Sequence, residues 1–452
     1  MRKIRILFCL LLIACVIAGC FGFAVSADSE NVNVYIERFR KDTKCSSVSV
    51  SVYSGGSVSY YGDQKGLYQI GSMTKAFTGL AIQKLISEGK LDPNSRVSDA
   101  IPGFTASYKS VPYEITVNHL LTQTSGYTNS ESLYPSAGRA VTLQEWANGM
   151  SGRELQSAPG EKYSYSNVNF NLLGAVIERV SGKAYKDYME KEILAPLGLY
   201  NTFVSADPHD ERIVHGSRLG YRHAFRYEIP VAEGRIPAGY FYSNVEDMAL
   251  WIKIWLGKAD IPEEYKKMVS EVKTHLLEKG DYYSGWEVFE KSEKGHSGGT
   301  PNYSSRMVFS EEKQTGVVVL TNLNAAASTD SLCNGIFQLL SDGSEGAIAK
   351  DVWTVFDIIF SVVSAAGVIL LVYAVCKGKR ISLLVSMTVT AVLVISICVI
   401  MPVIFGAGLG EIMFTWAPLS FTGALILLTA DILIIGIKLL LLRKNADREK
   451  TS

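Results

Sequence analysis

Ser72 and Lys75 stand three residues apart in Gly71-Ser72-Met73-Thr74-Lys75, a spacing that puts a hydroxyl and an amine on one helix face. An amine within hydrogen-bond reach of a serine can activate it, and a helix N-terminus favours the negative charge that develops on the oxygen. Apolar residues recur at helical spacing from Ala76 to Ile86, so Ser72 is expected in the first turn of a helix. Alone the motif is weak, because Ser is a common helix start and Lys a common exposed helix residue.

Two later stretches supply partners. Pro159-Gly160-Glu161-Lys162-Tyr163-Ser164-Tyr165-Ser166-Asn167 offers Tyr165 and Asn167 just before a helix. A tyrosine there can shuttle a proton between nucleophile and leaving group if a nearby ammonium lowers its pKa. Gly295-His296-Ser297-Gly298-Gly299 lets substrate approach the backbone and leaves N–H groups free for an oxyanion. Taken singly, each reads as an ordinary loop. The second also matches G-x-S-x-G, the nucleophile elbow. That elbow needs a following helix and a later histidine; Thr300-Pro301-Asn302 leads into strands and no histidine follows Ser297, so it is rejected.

Taken together, Ser72-Met73-Thr74-Lys75, Tyr165-Ser166-Asn167 and His296-Ser297-Gly298-Gly299 resemble the three motifs of serine β-lactamase-like hydrolases: class C β-lactamases, D-alanyl-D-alanine carboxypeptidases and related esterases and peptidases. Thr116 to Gly126 and Pro237-Ala238-Gly239-Tyr240 support the likeness, which covers nearly all of Val48 to Gln338. It implies Ser72 as acylated nucleophile, Lys75 and Tyr165 as its proton-handling partners, and Asn167 against the substrate amide or Lys75. It implies an oxyanion hole from the N–H groups of Ser72 and Gly299, with His296, Ser297 and Gly298 lining the substrate strand. His296 departs from the lysine usual in β-lactamases of this group, which argues against efficient β-lactam hydrolysis. The fold implied is α/β (α+β), a β-lactamase/penicillin-binding transpeptidase-like domain with an antiparallel sheet flanked by helices.

The residues agree with that layout. Ser47 to Tyr53 alternates with period two, Ser54-Gly55-Gly56 turns, and Ser57 to Tyr61 resumes as a strand. Strand character returns at Arg306 to Ser310 and Thr315 to Thr321. Helices are expected at Asn31–Lys41, Asn169–Val180, Tyr185–Leu197 and about Ser328–Leu340. Thr142-Leu143-Gln144-Glu145 and Ser243-Asn244-Val245-Glu246 have capping-box form. One sheet built from both ends of the domain, with the helical middle beside it, is the expectation.

The chain ends are membrane-directed. Residues 1–27 read as a signal peptide or anchor, leaving three outcomes: cleavage after Val25-Ser26-Ala27, lipidation at Cys20, or retention. Residues 28–350 form the extracytoplasmic hydrolase domain, and 351–452 a membrane region with spans at about 353–376, 381–405 and 413–442. Lys377, Lys379 and Arg380 between the first two spans, and Arg443, Lys444, Arg448 and Lys450 after the third, put the C-terminus in the cytosol. Asp431, inside the third span, is expected to face the other two, toward Ser386, Thr388, Thr390, Ser361 or Ser364.

Lys+Arg and Asp+Glu balance at 44 each, so nothing suggests a nucleic-acid partner. No metal-ligand spacing appears and no cofactor is implied. Cys45 and Cys333 are the cysteines of the exported domain; the strand pairing that the resemblance implies puts them near one sheet end, as a disulfide or two buried thiols. The function expected is a membrane-anchored serine hydrolase cleaving an amide or ester in a D-amino-acid-containing peptide. The layout resembles peptidases that mature colibactin- and zwittermicin-type prodrugs; cell-wall D-peptides are the competing substrates. The alternatives are a penicillin-binding-type sensor signalling through its helices, and a β-lactamase or esterase.

Overall fold

The computed structural model describes residues 32–128, 141–279, 282–289, 293–344, 346–376 and 379–451. The expected leader at 1–27 lies outside them. Two compact units are built, one from Ser29–Ser217 and Arg226–Ala349, the other including Arg218–Phe225 and Lys350–Ser452.

In the first unit a seven-stranded antiparallel sheet runs in the order β2-β1-β7-β6-β5-β4-β3. Its strands are β1 (Val48–Ser54), β2 (Ser57–Tyr61), β3 (Tyr282–Tyr283), β4 (Trp286–Val288), β5 (Lys294–Thr300), β6 (Tyr303–Ser310) and β7 (Thr315–Thr321). The sheet joins both ends of the domain, as expected: β1 pairs with β7 from Val48↔Thr321 to Tyr53↔Gly316. Helices α1 (Val32–Thr43) and α5 (Ala326–Asp342) pack on each other, α5 against β6 and β7, while α4 (Val245–Trp255) packs on β1 and β7.

Alternation in β1 suggests one wet face, yet Val48 to Tyr53 is buried throughout. The other face is lined by Ser49 and Ser51, small enough to lie under packed chain; Ser49 Oγ donates to Asp63 O at 2.8 Å. Ser47 and Ser49 both meet the buried Tyr68 hydroxyl, at 2.6 and 2.9 Å.

The helical middle centres on α2 (Thr74–Ser87) and α3 (Asn167–Ser181), which pack together. Thr142 caps its helix as the box predicts, its Oγ1 accepting from Glu145 N at 3.2 Å. The second box is displaced: Asn244 is the cap, accepting from Asp247 N at 2.9 Å, because Ser243 instead meets Thr202 Oγ1 at 2.9 Å. The helix expected over Tyr185–Leu197 holds α geometry only to Met189 and then widens over Glu190–Leu194. Helix α2 is buried from Thr74 to Leu85; Phe77 stacks on Trp251 of α4 at 4.2 Å between ring centroids.

In the second unit α6 (Val352–Cys376), α7 (Arg380–Phe405) and α8 (Leu419–Thr451) are long and apolar enough to cross a membrane, with mean hydropathies of 2.6, 2.7 and 2.6 over their spanning stretches. The third begins later than expected, because Met413 lies in a separate short turn that ends before Pro418. Buried Asp357 of α6 accepts from Ser420 Oγ at 2.7 Å and from Arg222 N at 2.8 Å. Arg218 donates to the carbonyls of Ala417, Phe414 and Met413 at the end of that turn.

Asp431 is fully buried beside Gly367 of α6, so it faces inward, but its carboxylate has no hydrogen-bond partner among the described residues. Three of the hydroxyls expected for it are taken by their own helices: Ser361, Ser364 and Thr388 each donate to the carbonyl four residues back. Lys438 donates to the carbonyls of Ala374 and Val375, capping the end of α6.

Two predictions follow from this packing. A Cβ at Gly79 would lie 2.1 Å from Ser284 O, so Gly79→Ala should cost about 1–3 kcal/mol or more and lower the thermal midpoint of the detergent-solubilised chain by several degrees. Asp357→Leu removes the carboxylate that accepts from Arg222 N and Ser420 Oγ and should loosen the helical unit. Asp431→Leu removes an unpaired buried acid and should not. Protease-resistance of the membrane fragment compares the two.

Candidate active site

The chain enters the site through Ile70, whose N–H donates to Phe241 O at 2.9 Å. Its carbonyl accepts from Ser305 Oγ of β6 at 2.8 Å. Gly71 follows at φ +50°, and a Cβ there would lie 2.4 Å from Gly299 N. Only glycine permits both the turn and the approach of this backbone to β5. Gly71–Met73 is a 3₁₀ turn and the α-helix starts at Thr74, so Ser72 sits just ahead of α2 rather than in its first α turn.

Lys75 is completely buried. Its Nζ lies 2.9 Å from Ser72 Oγ, 2.6 Å from Asn167 Oδ1 and 2.6 Å from Ala238 O. Two of these neighbours are amide carbonyl oxygens, which can only accept. Burial pushes the Lys75 ammonium well below the usual lysine range, against the opposing pull of the Glu287 carboxylate. A neutral amine has two N–H bonds for the two carbonyls, which leaves its lone pair for the Ser72 hydroxyl proton.

The acceptors are fixed from several sides. Asn167 begins α3 directly after Ser166, whose Oγ accepts from Val168 N at 3.2 Å as the helix cap. Gln123 Oε1 accepts from Ser166 N at 2.9 Å and from Asn169 Nδ2. Asn171 Oδ1, a turn further along α3, accepts from Ala238 N at 3.1 Å and holds the turn that offers the Ala238 carbonyl.

The Tyr165 ring lies 5.0 Å from Lys75 Nζ, and the Ser72 hydroxyl acts on its phenol in the direction that lowers its pKa. The expected fall in its pKa does not occur: burial pushes the phenol upward, and the amine beside it is itself held toward the neutral form. A protonated Tyr165 is therefore a proton donor in the resting site.

Segment 295–299, which could have been a turn, lies inside β5. The strand that follows it, β6, leaves no place for a nucleophile elbow. His296 Nδ1 lies 2.6 Å from the carbonyl of Ser297, so Nδ1 carries the proton; Nε2 faces Tyr282 Oη at 3.5 Å and Glu287 Oε1 at 3.8 Å. Burial, with the Lys75 amine next, takes the His296 pKa down to about 3, so the ring is neutral. Ser297 Oγ accepts from Arg306 Nη1 at 2.6 Å and donates to Asp330 Oδ2 at 3.0 Å. Gly298 packs against Ile70 O, where a Cβ would lie 2.2 Å away, whereas Gly299 is exposed with open space above its Cα.

The structure thus brings Ser72, Lys75, Tyr165 and Asn167 to one point with β5 alongside. Sequence reasoning did not single out Gln123, Ala238, Tyr282 or Glu287. Gln123 and Ala238 lie in stretches already suggestive of the site, while short Tyr282–Tyr283 and Trp286–Val288 carry no spacing signal. Among the described residues no group of three or more His, Cys, Asp or Glu could hold a metal ion. Cys45 and Cys333 are separate buried thiols. Cys45 Sγ meets Ser47 O at 3.2 Å and Asn322 Oδ1 at 3.4 Å, while Cys333 Sγ meets Arg306 O and Val317 O, each at 3.6 Å.

A β-lactamase sequence profile matches residues 32–335. The chain is 34% identical over 277 residues to protein flp of Staphylococcus aureus (strain MRSA252), covering 57% of this chain and 53% of that one. It is 29% identical over 288 residues to penicillin-binding protein 4* of Bacillus subtilis (strain 168), covering 57% and 60%. The chain spans about half the length of the curated relatives it matches. Among solved structures, the octameric penicillin-binding protein homologue from Pyrococcus abyssi superposes with a TM-score of 0.59 at 25% identity, over 68% of this chain and 76% of that one. A class C β-lactamase shares the fold, with a TM-score of 0.55 at 17% identity over 65% and 90%. The profile runs through the greater part of the chain and takes in every stretch that meets at Ser72: this chain belongs to the β-lactamase family.

Proposed function

We propose that this protein is a membrane-anchored serine hydrolase that forms an acyl-enzyme on Ser72 with an amide or ester in a D-amino-acid-containing peptide. The observation that carries the reading is Lys75, buried and held between two carbonyls with Ser72 Oγ as its third neighbour. Lys75 Nζ takes the Ser72 proton as Oγ bonds to the substrate carbonyl carbon. The N–H groups of Ser72 and Gly299 receive the oxyanion. Tyr165 gives its proton to the leaving nitrogen or oxygen as that bond breaks, and the Lys75 ammonium restores it. Water then attacks the acyl group along the reverse path, releasing the acid and freeing Ser72.

The substrate class rests on β5. Its partner β4 reaches only Lys294 and Gly295, so His296–Thr300 has no described strand on that side. An extended peptide laid there would gain backbone hydrogen bonds while presenting its carbonyl to Ser72. His296 is neutral where β-lactamases of the resembling group usually keep a lysine, which favours a peptidase or esterase over a β-lactamase. Three apolar helices and the basic residues Lys379, Arg380, Arg443 and Lys444 support a multi-pass anchor with the hydrolase domain outside the cell.

Ser72→Ala should abolish labelling by a fluorophosphonate, and undiminished labelling would sink the mechanism. Lys75→Met and Tyr165→Phe should each slow acylation by about 10²–10⁴-fold. The pH dependence has a definite sign. Lys75 works unprotonated and its pKa is lowered, so acylation should persist at neutral pH and fall on acidification as the amine takes up a proton. His296 at about 3 contributes no limb between pH 5 and 8, so His296→Gln should leave the position of the acid limb unmoved.

A further inference from the structure

The charges around Ser72 do not cancel. Lys75 and His296 are held toward their neutral forms and Tyr165 keeps its proton. Arg306, buried in β6, is already engaged. Its Nη1 donates to Ser297 Oγ, Asp330 Oδ2 lies 4.0 Å away, and its guanidinium sits 4.2 Å from the centre of the Phe289 ring. Arg306 and Asp330 therefore balance as a pair.

Glu287 is left over. It is on β4 opposite Gly295, its side chain 28% exposed, with Oε1 3.8 Å from His296 Nε2. No hydrogen bond from a described residue reaches its carboxylate, and the neutral imidazole beside it offers a lone pair rather than a proton. The groups that act on it are Arg306, Asp330 and Lys75, and burial outweighs them to raise its pKa. A carboxylate partly withdrawn from water, with no hydrogen bond from a described residue, gains from a cation brought by the substrate.

Its position says which part of the substrate that is. The His296 ring lies 6.0 Å from the Tyr165 ring, centre to centre. Tyr165 is the proton donor to the departing group, so Glu287 borders the leaving-group half of the site. We propose that Glu287 is a specificity residue that selects substrates whose leaving fragment carries a positive charge and disfavours those whose leaving fragment carries a carboxylate. The inference rests on the serine hydrolase reading and refines its substrate class. A peptide or amide releasing a cationic amine fits, whereas a fragment ending in a free carboxylate beside the scissile bond meets Glu287 with no ammonium at His296 to hold it.

The test uses the full chain in detergent and three thioesters of one N-acyl-D-amino acid, with thiocholine, ethanethiol or 3-mercaptopropionate as leaving group. None of these charges titrates near neutral pH. The expected order of kcat/KM for thiol release is thiocholine, ethanethiol, mercaptopropionate, with about tenfold or more between the extremes at low salt and less at high salt. Glu287→Gln should collapse that ratio and Glu287→Asp should keep its direction; a thermal melt reports whether each variant is folded. The proposal is overturned if the wild-type chain does not discriminate, or if Glu287→Gln slows all three esters equally and leaves their ratio intact, the signature of a residue that only orients His296. Protection of Ser72 from fluorophosphonate labelling by the same esters gives the ranking where turnover is slow. A chain whose Ser72 takes the label but shows no charge preference in either readout loses this inference alone. One whose Ser72 is not labelled loses the underlying mechanism.

Discussion

The site depends on burying an amine whose charged form is disfavoured. An ammonium taken out of water without a carboxylate partner is costly, and the group neutralises instead. Lys75 has carbonyl oxygens from Asn167 and Ala238 and, among the described residues, no carboxylate within hydrogen-bond reach. Holding it there requires α2 to be enclosed on every side, and the helix is buried from Thr74 to Leu85. Much of the surrounding architecture serves that enclosure. Gly79 admits the Ser284 backbone against the helix, Phe77 stacks on Trp251, and Asn171 fixes the turn bearing Ala238.

A neutral Lys75 changes what its neighbours can do. A Tyr165 phenolate stabilised by an ammonium is disfavoured, because burial acts against the ionised form of both groups. On the proposed mechanism the Ser72 proton passes to Lys75, and the oxyanion and the new ammonium form together. His296 belongs to the same regime: its Nδ1–H is committed to the Ser297 carbonyl and Tyr282 faces the other nitrogen, so the ring positions without charging.

What the sequence made legible follows from locality. Ser72 and Lys75 stand one turn apart, and Tyr165 and Asn167 flank a helix cap, so each pair leaves a local mark that is weak alone and specific only as a set with residues 295–299. The sheet was legible because β1, β6 and β7 have strong strand patterns. Ala238 O and Gln123 were not, since a backbone carbonyl has no side-chain signature and a glutamine in a loop resembles any other. Glu287 lies in a three-residue strand that no periodicity marks. The Ser243 box failed for a related reason: Asn244 caps just as well, and a tertiary bond from Thr202 decided between them. Cys45 and Cys333 could be read as partners or as separate thiols; the carbonyl contacts each thiol makes on its own show the second.

The apolar helices carry the same lesson. Asp357 and Asp431 look alike in sequence, one acid in each of two long apolar stretches. Asp357 is satisfied by Ser420 of α8 and by the backbone of Arg222, a residue that precedes it by more than a hundred positions. The segment Arg218–Phe225 thus belongs by its contacts to the helical unit, and Arg218 closes the carbonyls ahead of Pro418 with its guanidinium. No hydropathy pattern marks that segment, because its role is to supply polar groups where a helix end and a buried acid lack them. Asp431 has no such donor among the described residues and lies against Gly367, where the smallest residue leaves room for a carboxyl group but offers it no side chain. Equal apolar surroundings therefore give one acid a structural bond and leave the other unpaired, and the difference comes from a segment distant in the chain.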